Sequence, residues 1–299
     1  MDEAGTSGAN LFFELALEDL SQAADLFRPS YAASGGVDGW VSMAVYPLLA
    51  DDAKRIIQAA ATLHGRAAKT NLFITIPGTA AGIAALEEVI FQGIPVNITL
   101  LFSREHYLAA AQADIRGIER RLAAGLDPKV DSVASLFVSG WDAAVKRQLQ
   151  PPFHNRLGIA MALRAFTAYC ELLVSDPWCR LAAAGARPQR MLWASTSTED
   201  PSASDTLYVA ALVGAGTIDA MPEATLLAFA EHGEIQRPMP TDAGYAEAVL
   251  GKISEEGVNV SALAARLQRE GVVALVKSWH GLLSCIEAKC QGFSLRASA

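Results

Sequence analysis

Cysteine is scarce and unpaired: Cys170, Cys179, Cys285 and Cys290 are the only four in 299 residues, and no C-x-x-C spacing occurs. The five histidines, at 64, 106, 154, 232 and 280, form no i, i+4 pair and adjoin no carboxylate cluster. Neither a disulfide framework nor a metal site is expected, and no cofactor is called for. Basic charge is also short, with 24 Lys and Arg against 32 Asp and Glu and a formal net charge of -8. That balance argues against nucleic acid or an anionic membrane as a partner. Apolar runs such as the one around Leu207 to Val213 stop well short of the roughly eighteen residues that span a bilayer. Asp2 and Glu3 stand where a signal peptide would be basic, so a cytoplasmic location is expected. Neither G-x-G-x-x-G nor G-x-x-x-x-G-K-[ST] is found, which disfavours a nucleotide-cradling first turn.

What the chain does have is apolar content, 52% hydrophobic against 19% charged, enough to bury a large core. Six short runs rich in β-branched or aromatic residues read as buried strands: 39–46 (GWVSMAVY), 71–76 (NLFITI), 96–102 (VNITLLF), 132–138 (SVASLFV), 190–195 (RMLWAS) and 217–221 (TIDAM). Between them, 51–64, 79–92, 104–124, 140–148, 157–175 and 208–213 carry amphipathic helical patterns, several opened by Asp, Ser or Thr. The repeated β-α order specifies an α/β fold with a parallel sheet, either open and doubly wound or closed as a barrel. No linker divides residues 1–299, so one domain is expected, with 1–27 as an N-terminal helical segment. Ser42, Tyr46, Thr75, Asn97, Thr99, Ser135, Ser195 and Asp219 share inward parity within the strands, which suits a barrel with a site at its C-terminal mouth. Asn97 and Asp219 stand out, since a buried amide or carboxylate is costly without partners.

The runs LFRPSYAASGGVDGWVSMAVYP, NLFITIPGTAAGIAALEEVI, GIPVNITLLFSREHYLAA, DSVASLFVS, RPQRMLWASTSTEDPSASDTLYVAALVG and TIDAMPEATLLAF together resemble the bacterial transaldolases, in order and spacing. The similarity extends from about Leu11 to the C-terminal helix. It implies a transaldolase-like (β/α) TIM-type barrel, here N-terminally truncated to about six recognisable strands. Members of that family usually move a dihydroxyacetone unit between phosphosugars through a lysine Schiff base.

Four departures bear on chemistry. The family strand N-L-M-I-K-V-P-A-T places its lysine where NLFITIPGT has Thr75, and a hydroxyl forms no iminium. The family glutamate in V-S-L-E-V-S-P corresponds to Ala44, with Tyr46 after it. The arginine and lysine expected at the phosphate fall at Ser139 or Gly140 and at Glu199, and a carboxylate there repels phosphate by about 1 to 4 kcal/mol at 4 Å. Two strands that precede this region in the family are not found, so the N-terminal segment or a second copy must cover the gap. A homodimer across the open side is the expectation.

Positions matching the family pocket leave Asn97, Thr99, Ser135, Phe137 and Ser195 as substrate-binding candidates. Thr75, Tyr46 and Asp219 are the catalytic candidates, with Trp40, Trp141 and Trp193 nearby in sequence. This set suits a small neutral metabolite. The expected function is a repurposed non-covalent enzyme performing a cyclisation, isomerisation or elimination in specialised metabolism. A catalytically inactive binding or assembly partner is the alternative, and residual transaldolase activity a distant third.

Overall fold

The computed structural model describes residues 8–235 and 237–297. In chain order the elements are α1 (Gly8–Ala33), β1 (Val41–Ala44), α2 (Ala53–Ala67), β2 (Leu72–Pro77), α3 (Ala80–Phe91), β3 (Val96–Leu101), α4 (Arg104–Ala123), β4 (Ser132–Phe137), α5 (Ser139–Val145), α6 (Leu157–Leu173), α7 (Asp176–Ala183), β5 (Arg190–Ala194), α8 (Leu207–Ala211), β6 (Ile218–Ala220), α9 (Glu223–His232), α10 (Gly244–Glu255) and α11 (Val260–Ala297). All six expected strands form. Of the expected 1–27 helical segment, residues 1–7 lie outside the described residues, and the rest belongs to α1.

Local chemistry sets the helix starts. Asp52, Thr79 and Ser103 accept hydrogen bonds from the backbone N–H groups of Arg55, Gly82 and His106, which would otherwise be unsatisfied at the starts of α2, α3 and α4. Helix α6 is buried over more than half of its residues, and its N-terminus is held by a side chain from elsewhere. Asp142 accepts from the backbone N–H of Leu157 (2.9 Å) and of Gly158 (3.0 Å), and from the Tyr208 hydroxyl (2.9 Å).

The strands are parallel and ordered β1-β2-β3-β4-β5-β6, so every crossover carries helices back over one face. Outward residues such as Ile74, Ile76, Val96, Ile98, Ala134 and Met191 are fully buried beneath those helices. Among the described residues six strands stand where a barrel of this type has eight. The sheet nevertheless curls far enough for its two sides to meet at the bottom. There Arg187 donates to the carbonyls of Gly36 (3.1 Å) and Gly35 (2.6 Å) while holding Asp131 at 2.9 and 3.1 Å. Arg190, at the start of β5, donates to the Val37 carbonyl. These arginines tie the segment before β1 to a strand about 150 residues later.

At the top, α1 and α11 pack against each other and across β1 and β3. Gln268 of α11 donates to the carbonyls of Gly78 (2.8 Å) and Leu100 (3.0 Å). Leu100 is in the left-handed region (φ 59°) where the β3–β4 register shifts, a bulge that turns its carbonyl toward the helix. Gly271 lets α11 come close, since a Cβ there would sit 2.9 Å from the Leu100 side chain. Among the described residues no single helix is long and apolar enough to cross a membrane.

Candidate functional site

Successive side chains of a strand point to opposite faces of the sheet. On the concave face this brings Ser42 and Ala44 of β1 beside Thr75 and Pro77 of β2, Asn97 and Thr99 of β3, and Ser135 and Phe137 of β4. Thr75 is in register with Asn97, and Pro77 with Thr99. Two hydrogen bonds run across the strands: Ser42 Oγ with Thr75 Oγ1 at 2.5 Å, and Ser135 Oγ donating to Asn97 Oδ1 at 2.7 Å. Together these four residues make a polar belt at the waist of the trough.

Above the belt, toward the C-terminal ends of the strands, lies a cavity of about 600 Å³. Ser42, Ala44, Thr75, Thr99 and Phe137 form its floor, and residues of α1 (Phe12, Phe13, Leu20) and α11 (Gly271, Val272, Leu275, Trp279, Leu282) its roof. No charged side chain and no lysine is among the lining residues. Lys277 sits next to Ser278 in sequence but is exposed. Hydroxyls in an apolar chamber can bind carbonyl and hydroxyl oxygens strongly, because little water competes for them. Below the belt, a second cavity of about 260 Å³ includes Ser42, Asn97, Trp40, Phe73 and Arg190 in its walls.

Of the catalytic candidates, Thr75 lies in the upper cavity. Tyr46 does not line it. Strand β1 ends at Ala44, and a short turn at Pro47–Leu49 carries the Tyr46 ring into an aromatic cluster, 4.1 Å from Phe13 and 5.4 Å from Trp279 between centroids. Burial raises its phenol pKa. Asp219 is on the wrong face for the trough. It is in register with buried Trp193, whereas its neighbours Ile218 and Ala220 line the lower cavity. Its Oδ1 accepts from Thr196 Oγ1 at 2.7 Å, its Oδ2 is buried without a partner, and burial raises its pKa to about 6.

Among the binding candidates, Thr99 and Phe137 line the upper cavity and Asn97 the lower one, while Ser135 is buried in the belt. Ser195 is turned away. It adopts φ 57° just past β5 and shares a 2.7 Å hydrogen bond with Ser139. Trp141 and Trp193 are fully buried, the former donating to the Phe102 carbonyl at 3.1 Å, and only Trp40 reaches the trough. Sequence reasoning missed Gln268 and the α11 roof. Gly271, a glycine inside a helical pattern, was the one local hint of a close approach.

The family model described as transaldolase/fructose-6-phosphate aldolase matches residues 1–286. A protein named transaldolase from Parafrankia sp. (strain EAN1pec) is 43% identical over 277 residues, covering 90% of this chain and 75% of its own. One of the same name from Thermobifida fusca (strain YX) is 43% identical over 276 residues, covering 89% and 74%. A protein named transaldolase 2 from Nostoc sp. (strain PCC 7120) is 36% identical over 305 residues, covering 96% and 80%. The expectation of a repurposed non-covalent enzyme, or of an inactive partner protein, is corrected by these matches. Relatives at this level across most of the chain carry the transaldolase name, and they favour that activity.

Proposed function

The chain belongs to the transaldolase/fructose-6-phosphate aldolase family, and from that premise we propose that it acts as a transaldolase at the upper cavity. The observation that carries this reading is identity of about 40% to named transaldolases over some nine tenths of the chain. The local geometry supports it, because Thr75 and Thr99 place hydroxyls at the C-terminal half of the strands, where barrels of this kind hold their substrates, with Ser42 hydrogen-bonded to Thr75. In this reading a ketose enters with its carbonyl oxygen on the Ser42–Thr75 pair. The bond between C3 and C4 breaks, the C4 hydroxyl loses its proton to solvent, and C4 leaves as an aldehyde. The electron pair stays on the three-carbon fragment, held as an enediolate on the former ketone oxygen. Attack on an acceptor aldehyde forms the new carbon–carbon bond, and the acceptor oxygen takes up a proton.

With threonine at residue 75, this reading assigns carbonyl polarisation to hydroxyl donors in place of a lysine amine. Donors of that type, positioned at a developing oxyanion, contribute on the order of a hundredfold or more each. Incubation with fructose 6-phosphate and an aldose phosphate, followed by NMR, tests the proposal. Release of a triose phosphate with transfer of the remaining three carbons is expected, and absence of both at high enzyme concentration refutes it. The reading also includes a cytoplasmic location and a homodimer. Among the described residues the outer edge of β6 has no strand beside it, and Leu226 and Leu227 of the adjacent α9 are 53% and 61% exposed. A monodisperse monomer by light scattering would remove the dimer.

A further inference from the structure

The geometry points to the lower cavity as a second binding site, for a small organic carboxylate with an apolar body. This cavity shares only Ser42 with the upper one and lies nearer the N-terminal ends of the strands. Most of its wall is apolar, from Phe73, Val133, Leu192 and Ile218, with Trp40 stacked on Phe73 at 4.1 Å. Two hydrogen-bond donors border that apolar space. One is Arg190, whose side chain is 20% exposed and gives one N–H to the Val37 carbonyl. Its nearest carboxylate, Asp38, is 3.9 Å away and 70% exposed, so water screens much of the compensation. The other donor is the amide of Asn97. Its Oδ1 is occupied by Ser135, which leaves the two Nδ2 hydrogens without an acceptor among the described residues.

Two donors set in largely apolar walls, with the exposed Asp38 as the one carboxylate among the lining residues, match the paired oxygens of a carboxylate. A single guanidinium beside Asp38 balances one negative charge. A phosphate dianion would bring a second charge toward Asp38. The volume, about 260 Å³, takes an aromatic or branched acid rather than a long chain.

Titration of the intact protein with benzoate, read by tryptophan fluorescence, tests the inference, with Trp40→Phe assigning the signal. A saturable change is expected, with Kd on the order of 1 mM for so small a probe. Benzamide, of the same shape but uncharged, should bind at least tenfold more weakly, and inorganic phosphate should not compete. Arg190→Met should weaken benzoate at least tenfold. Because Arg190 also holds the segment before β1, a second variant leaves it intact: Ala220→Phe fills the cavity from an exposed rim position and should abolish the response while the thermal transition is kept. Benzamide binding as tightly as benzoate, effective competition by phosphate, or an unchanged benzoate response in Ala220→Phe would each overturn the assignment. So would the absence of any saturable response.

Discussion

Replacing Asp114 with asparagine should remove about 2.5 kcal/mol of the pH dependence of stability that the native protein carries between pH 5 and 8. Asp114 sits on the inner side of α4, fully buried, and its one hydrogen bond is from Ser132 Oγ at 2.6 Å. With no cation beside it, burial raises its pKa from 3.8 to about 7, and the Ser132 bond pulls only weakly the other way. The folded state therefore holds this proton more tightly than the unfolded chain does. The stabilisation is complete below pH 3.8 and is lost as pH rises, until the folded carboxyl has ionised near pH 7. The whole gap is worth about 4 kcal/mol, and about 2.5 kcal/mol of it falls between pH 5 and pH 8. Asparagine keeps an oxygen for Ser132 and cannot ionise. Urea unfolding of both proteins at pH 5 and pH 8 gives the difference of differences, in which other titrating groups cancel. A native protein that loses about 2.5 kcal/mol more than Asp114→Asn across that interval fits the reasoning. Equal pH dependence in the two proteins would refute it.

Three further outcomes are expected. Thr75→Val, which keeps the shape and deletes the hydroxyl, should lower turnover in the triose-release assay by about 100-fold or more with little change in melting temperature; unchanged turnover would place the chemistry elsewhere. Arg187→Ala should destabilise by about 2 to 4 kcal/mol in urea, since Asp131 and two backbone carbonyls lose a half-buried partner together, and Arg187→Lys should recover only part because lysine lacks the fork. Asp142→Ala leaves the start of α6 uncapped and the buried Tyr208 hydroxyl alone, and should cost about 2 to 4 kcal/mol by the same measurement, whereas a loss below about 0.5 kcal/mol would deny its structural role.

The strands were legible because a parallel sheet covered by helices buries its outward side chains completely, leaving runs such as NLFITI and VNITLLF that nothing else in the sequence resembles. Parity within those runs placed Thr75, Asn97, Thr99 and Ser135 on the concave face. It failed where a strand stops. Tyr46 keeps the parity of Ser42 but follows the last residue of β1, while Ser195 has the outward parity of Met191 and Trp193 and, past β5 in a left-handed conformation, meets Ser139. Asp219 was misplaced by one residue on a three-residue edge strand, too short for alternation to declare itself, although its pairing with Trp193 settles the face. Helices α7, α9 and α10 were not anticipated, and the roof by α1 and α11 could not be, because helical periodicity marks an apolar stripe without saying what it will cover.

The roofed chamber also constrains how the protein can be made. Its floor comes from residues in the first half of the chain and part of its ceiling from a helix that follows every strand, so a nascent polypeptide still on the ribosome exposes the apolar trough until α11 has emerged. During that interval the same surface that later encloses a ligand is a target for chaperones and for misassembly with other unfinished chains.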